Sequence, residues 1–188
     1  MTTPKPIILP HNGIWPKIDK SACIMPGCTI IGDVEIGSES SVWPGVVIRG
    51  DVNYIRIGKR TNIQDGTVIH VTRPSIAGDI GMTIIGNNIT IGHKAMLHAC
   101  NLQDASFVGM AATIIDGATV ETGGFVAAGA MVTSNKIVKD GELWAGNPAK
   151  CLREMKQAEK DFIMKSAENY VQDAKSYLQD GVGVYENS

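Results

Sequence analysis

An aliphatic residue recurs every six positions through most of this chain. It falls at Ile18, Ile24, Ile30, Ile36, Val42 and Ile48, again at Ile57, Ile63 and Ile69, and again at Ile85, Ile91 and Leu97. A last run comprises Leu102, Val108, Ile114, Val120, Val126 and Val132. Neither the 3.6-residue period of a helix nor the two-residue period of a half-buried strand produces this spacing. A fixed hexapeptide period belongs to parallel β-helices. Three hexads make one triangular coil. The aliphatic residue points inward, and Gly, Asn or Asp at the corners tolerates positive φ. About eighteen hexads would stack as about six coils, roughly 30 Å of prism at the usual strand spacing. The expected class is an all-β solenoid with a C-terminal α-helix.

The boundaries follow from the pattern. Residues 1–17 read as an N-terminal lead-in, in which Pro4, Pro6, Pro10 and Pro16 disfavour regular pairing. Residues 18–146 hold the β-helix, with hexads to about 137. Residues 147–188 hold a helix and tail: after Gly146-Asn147-Pro148, the apolar residues Leu152, Met155, Ala158, Phe162, Met164, Ala167, Tyr170, Val171, Ala174 and Leu178 recur at helical spacing, to near Gly181. Two breaks in the beat, around Asn53-Tyr54 and at 73–81, predict loops on a working face. The 188 residues suit one domain, and the net charge of −2 offers no footprint for nucleic acid or an anionic membrane. Without an export signal or spanning segment, and with Cys23, Cys28, Cys100 and Cys151 scattered, the chain reads as cytoplasmic with free thiols.

Three of the four histidines fall in linked register. His70 follows Ile69 and His98 follows Leu97, so both occupy the same step of a hexad. Their 28-residue separation equals one 18-residue coil plus a ten-residue excursion, which matches the break at 73–81. The two imidazoles should therefore stand one above the other. His93 sits one step later in its hexad, near a different corner. Three imidazoles suit Zn²⁺ with a fourth position open to water. A cyclic trimer could bring His93 of one subunit to His70 and His98 of the next. Cys100 is a competing soft ligand, but as a small thiol it is expected to pack in the core. Nearby, Arg49, Asp51 and Asp65 are candidates for interfacial ion pairs, and Asn62 and Gln64 for orienting a water or substrate.

Arg49-Gly50-Asp51, Asn62-Ile63-Gln64-Asp65-Gly66, Ile69-His70, Gly92-His93 and Leu97-His98 resemble the γ-class carbonic anhydrases and the YrdA-type hexapeptide-repeat proteins. The resemblance extends to Gly146-Asn147-Pro148 and to Ser166–Val171 of the tail. It implies a left-handed β-helix and a homotrimer. One divalent metal would lie at each subunit interface, Zn²⁺ first, with Fe²⁺ or Co²⁺ as alternatives, held by His70, His93 and His98. It further implies that Arg49 and Asp65 pair across the interface, and that Gln64, Asn62 and the tail residue Tyr170 form the catalytic set. The implied reaction is reversible hydration of CO₂ to bicarbonate by metal-bound hydroxide. The chain departs from the family pattern where acidic residues would carry the proton away. Val52-Asn53 follows the Arg-Gly-Asp motif, and the loop after His70 offers only Asp79, so hydration is expected to be slow. Two other readings remain open: a hexapeptide-repeat acyltransferase or acyl-CoA thioesterase, and a non-catalytic trimeric metal-binding scaffold.

Overall fold

The computed structural model describes residues 5–183, apart from the side chains of Ala77 and Asp79. Pro4 of the lead-in and the Asp79 side chain thus lie outside the described residues. The chain winds into a parallel β-solenoid of triangular section. On one face, strands Cys23–Ile24, Ser41–Val42, Asn62–Ile63, Thr90–Ile91, Phe107–Val108, Phe125–Val126 and Glu142–Ala145 stack in parallel. A second face stacks residues 29–31 and 47–49 on Val68–His70, Met96–His98, Thr113–Ile114 and Met131–Val132. The third runs from Lys17–Ile18 to Ile137–Val138.

Register converts the hexad period into columns. Ile30, Ile48, Ile69, Leu97, Ile114 and Val132 align on the second face, and each is fully buried. Parallel columns from Ile24 to Val126 and from Ile18 to Val138 fill the other two sides. β-Branched residues suit this short-stranded packing because their restricted χ1 matches the strand backbone.

The break near Asn53-Tyr54 does not leave the sheet as a loop. Residues 47–57 form one continuous strand that turns the corner between the second and third faces. The register shifts there: Gly32 pairs with Gly50, but Val34 pairs with Ile55. Stacked glycines make the corner possible. A Cβ on Gly32 (φ +79°) would lie 2.3 Å from the Gly50 carbonyl oxygen, and one on Gly50 would lie 2.5 Å from that of Asp33. The break at 73–81 does emerge as an excursion, a short helix Pro74–Ala77 and a 3₁₀ turn at 78–80. Its base is closed by the Thr72 amide donating to the Gly81 carbonyl, at 2.8 Å.

Two further expectations from sequence need correction, and both concern sheet edges. Within the lead-in, Ile7–Leu9 pairs in parallel with residues 29–31. Pro6 and Pro10 flank this edge strand rather than interrupt it, so no ladder donor is lost. At the other end, helix does not follow Gly146-Asn147-Pro148. Lys150–Glu154 instead forms an antiparallel strand against Glu142–Ala145, leaving Leu152 65% exposed. Gly146, at φ +94°, lets the chain reverse, and the open edge of the last coil offers backbone groups that outweigh helix propensity there. The helix spans Gln157–Gln179 and buries Ile163, Ser166, Ala167, Val171 and Ala174 against the first face. Beyond it, the Gly183 carbonyl accepts from the Ile24 amide at 3.0 Å, closing the first coil.

Leu97→Ala removes the centre of a fully buried column and is expected to cost about 2–5 kcal/mol in denaturant unfolding at fixed protein concentration. Glu159 caps the helix through the Lys156 amide and also pairs with Arg153. The Arg153 hydrogen bonds, with that amide, hold its carboxyl down to about 2, against an ordinary 4.5. A depressed pKa stabilises the folded state above the unfolded value, and the effect is lost as pH falls through the folded one. Glu159→Ala should therefore speed amide exchange in the first helical turn at pH 7. Its difference from the wild type should shrink as pH drops from 4.5 toward 2.

Candidate functional site

The second face ends at the corner occupied by His70 and His98. Each follows a fully buried residue, Ile69 or Leu97, so strand alternation turns the imidazole outward. The two residues are paired in register, with ring centroids 5.2 Å apart and His70 Nδ1 3.3 Å from His98 Nε2. The outer nitrogens are held by carboxylates: His70 Nε2 lies 3.0 Å from Asp51, and His98 Nδ1 lies 2.8 Å from Asp116.

An ionised carboxylate only accepts, so these contacts assign the ring protons to His70 Nε2 and His98 Nδ1. When both rings are neutral, the lone pairs of His70 Nδ1 and His98 Nε2 then face each other. Asp51 also pairs with Arg49. Burial pushes the Asp51 carboxyl up, but the hydrogen bonds from His70 and Arg49 outweigh it and hold the group down to about 2. Asp116 is likewise held low: its hydrogen bonds with Thr72 and His98 outweigh burial. Burial lowers the His70 pKa below its ordinary value, which keeps the ring neutral near pH 7.

His93 occupies the corner at the opposite end of the same face, five residues before His98. Its Nδ1 lies 2.8 Å from Asp65, which occupies the equivalent place one coil earlier. Both line a cleft of about 460 Å³ with Trp43, Pro44, Tyr170 and Tyr177. Tyr170 packs edge-on against Trp43, with centroids 5.6 Å apart. Beneath the helix, Gln64 Nε2 donates to Asn62 Oδ1 at 3.0 Å, and Asn62 Nδ2 donates to Thr90 at 2.9 Å. Asn62 and Gln64 are both buried.

The candidate residues thus form two half-sites. His70, Arg49 and Asp51 share one corner with His98, whereas His93, Asp65 and Tyr170 share another. Arg49 pairs with Asp51 and Asp65 with His93, so Arg49 and Asp65 do not meet within one chain. Among the described residues, no three His, Cys, Asp or Glu side chains converge to hold a metal.

The donor chemistry nevertheless fits one. In a tetrahedral site with Zn–N bonds of 2.0–2.1 Å, neighbouring ligand nitrogens stand about 3.3–3.4 Å apart. The facing nitrogens of His70 and His98 already have that separation. Each of the three imidazoles also has its other nitrogen tied to a carboxylate, the usual environment of a metal-ligating histidine. Cys100 packs in the core as expected, and burial pushes its thiol up to about 12.

The reading of the sequence missed Asp116 and Thr72. Thr72 Oγ1 donates to Asp116 at 2.6 Å. Asp116 lies 18 residues beyond His98, one coil length, and that spacing was the signal available.

Comparisons with known proteins agree with this architecture. The family model described as bacterial transferase hexapeptide (six repeats) matches residues 16–50. The chain is 48% identical over 165 residues to Gamma carbonic anhydrase 1, mitochondrial, of Arabidopsis thaliana, covering 88% of this chain and 60% of that protein. It thus spans about three fifths of that relative's length. It is 40% identical over 176 residues to Protein YrdA of Escherichia coli, covering 93% of this chain and 96% of that one. Among solved structures, a hexapeptide transferase family protein from Anaplasma phagocytophilum superposes with a TM-score of 0.86 at 47% identity, covering 91% of this chain and 98% of that one.

Cys23, Cys28 and Cys100 are buried, whereas Cys151 is exposed. Burial raises the Cys23 thiol to about 11 and that of Cys28 to about 12. A thiol-specific reagent is therefore expected to label Cys151 alone in the native protein and all four cysteines after denaturation, counted by mass spectrometry.

Proposed function

Because the chain belongs to the family of the γ-class carbonic anhydrases and YrdA, we propose that it is a metal-dependent enzyme hydrating CO₂ reversibly to bicarbonate. The metal would be divalent, zinc first and iron or cobalt next, and held between subunits of a homotrimer. His70 and His98 supply two ligands, and His93 of a neighbouring copy supplies the third. One observation carries this reading: two facing imidazole nitrogens 3.3 Å apart, each ring fixed from behind by a carboxylate.

Held by His70 and His98 with His93 of a neighbouring copy, a divalent cation would supply the Lewis acidity that makes hydroxide available from water near neutral pH. The chain's own residues orient and exclude. Asp51, Asp65 and Asp116 hold the three imidazoles in the tautomer that offers a free lone pair. Gln64, whose amide nitrogen is committed to Asn62, keeps its carbonyl oxygen to accept from water or substrate. Tyr170 and Trp43 wall the cleft beside His93. Proton removal is the weak step. Val52 cannot carry a proton, and the Asn53 side chain is occupied by the Thr72 carbonyl and the Tyr54 amide. Turnover is therefore expected to depend on added buffer. The four free cysteines fit a cytoplasmic location. Among the described residues, no helix is long and apolar enough to cross a membrane.

A second reading, an acyl-transferring or acyl-CoA-cleaving enzyme, has one feature in its favour. An apolar groove of about 320 Å³, lined by Ile80, Met82, Ile84, Cys100 and Ala118 among others, begins beside the His98 corner.

Stopped-flow CO₂ hydration on protein of counted metal content separates the two. Hydration that rises with buffer concentration and falls at least 100-fold in His98→Ala is expected. Fully loaded protein without hydration but with acyl-CoA cleavage would favour the groove.

A further inference from the structure

We infer that Asp116 is a positioning residue for His98, and that it prevents His98 and His70 from bonding to each other; this rests on the metal reading proposed above. The Asp116 Oδ2 atom lies 2.8 Å from His98 Nδ1, and its Oδ1 atom accepts from Thr72 Oγ1 at 2.6 Å. Both oxygens of the carboxylate are thus engaged. Thr72 is itself fixed on two sides. Its amide donates to the Gly81 carbonyl at 2.8 Å, and its carbonyl accepts from Asn53 Nδ2 at 3.1 Å. The chain of contacts runs from the base of the 73–81 excursion to the imidazole.

The consequence is specific to this corner. A neutral imidazole carries one proton, and Asp116 draws it to Nδ1. Without that acceptor the proton is free to occupy Nε2, 3.3 Å from the His70 lone pair. A His98-to-His70 hydrogen bond would then fill the space between the rings and remove both lone pairs from any cation. Asp116 therefore does more than hold a ring: it selects between an open pair of ligands and a self-satisfied pair. Thr72 keeps the carboxylate turned toward His98, so the excursion and the histidine corner are mechanically joined.

The test uses the full chain with cobalt(II) as the probe, together with Asp116→Leu and Thr72→Val. Two readouts are taken: cobalt affinity from its visible absorption, and the His98 tautomer from nitrogen-15 imidazole spectra of metal-free protein at pH 8. Asp116→Leu is expected to weaken cobalt binding 10–100-fold and to move the His98 proton toward Nε2. Thr72→Val should shift both in the same direction by less. A smaller, purely structural effect would leave the tautomer at Nδ1. Wild-type-like affinity and tautomer in Asp116→Leu would overturn the inference, as would the same result in Thr72→Val should the leucine variant not fold. A wild-type protein that binds no cobalt would instead remove the metal reading, and this inference with it.

Discussion

The inward column of aliphatic residues is the contact on which the rest of this molecule depends. Each side chain rests on one from the coil before and one from the coil after. Burying such a side chain contributes roughly 1.5–3 kcal/mol before the entropy of ordering is counted. Because a coil is satisfied only by its neighbours, the two ends of the stack are the exposed positions. This chain covers both with its own segments. Ile7–Leu9 pairs beside the first coils and the Gly183 carbonyl meets Ile24, while Lys150–Glu154 returns antiparallel along the last. The long helix then covers one face of the prism.

The same register makes the candidate site. A residue that follows an inward aliphatic must face out at a corner, and residues at equivalent steps of successive coils must stack. His70 over His98 and Asp65 beside His93 are both outcomes of that rule. The carboxylates then decide the chemistry. With Asp51 and Asp116 behind them, the two rings of one corner turn their lone pairs toward each other, an arrangement that a cation would relieve. The third imidazole stands at the far end of the face, so one chain holds only part of the proposed ligand set.

Much of this was legible in the sequence because the period is strict. The three columns and the His70–His98 stack follow from counting residues in hexads, and the long helix from apolar residues at helical spacing. The excursion at 73–81 followed too, since its length restores the phase between Ile69 and Ile85. What escaped was set by edges and corners rather than by period. The strand at 150–154 looked helical because Leu152 and Met155 carry a three-residue spacing, yet the unpaired edge of the last coil claimed that segment. Prolines 6 and 10 looked like breakers but only bound a strand. The extra residues around Asn53 stayed in the sheet because Gly32 and Gly50 allow a corner that no side chain would permit. Asp116 escaped because an aspartate at a turn is ordinary turn chemistry, and its one signal, an 18-residue spacing from His98, is shared by many residues of a coiled chain.

A site shared between chains can be tested most directly by mixing two inactive partners. His93→Ala and His98→Ala chains are unfolded together, refolded together and their metal counted. If the ligands come from neighbouring subunits of a trimer, each mixed trimer regains about one intact site, formed where an unmutated His98 faces an unmutated His93. Metal should then return in the co-refolded sample and stay absent from either variant refolded alone. Metal that does not return on mixing, in a sample shown to contain mixed trimers, would contradict a shared site.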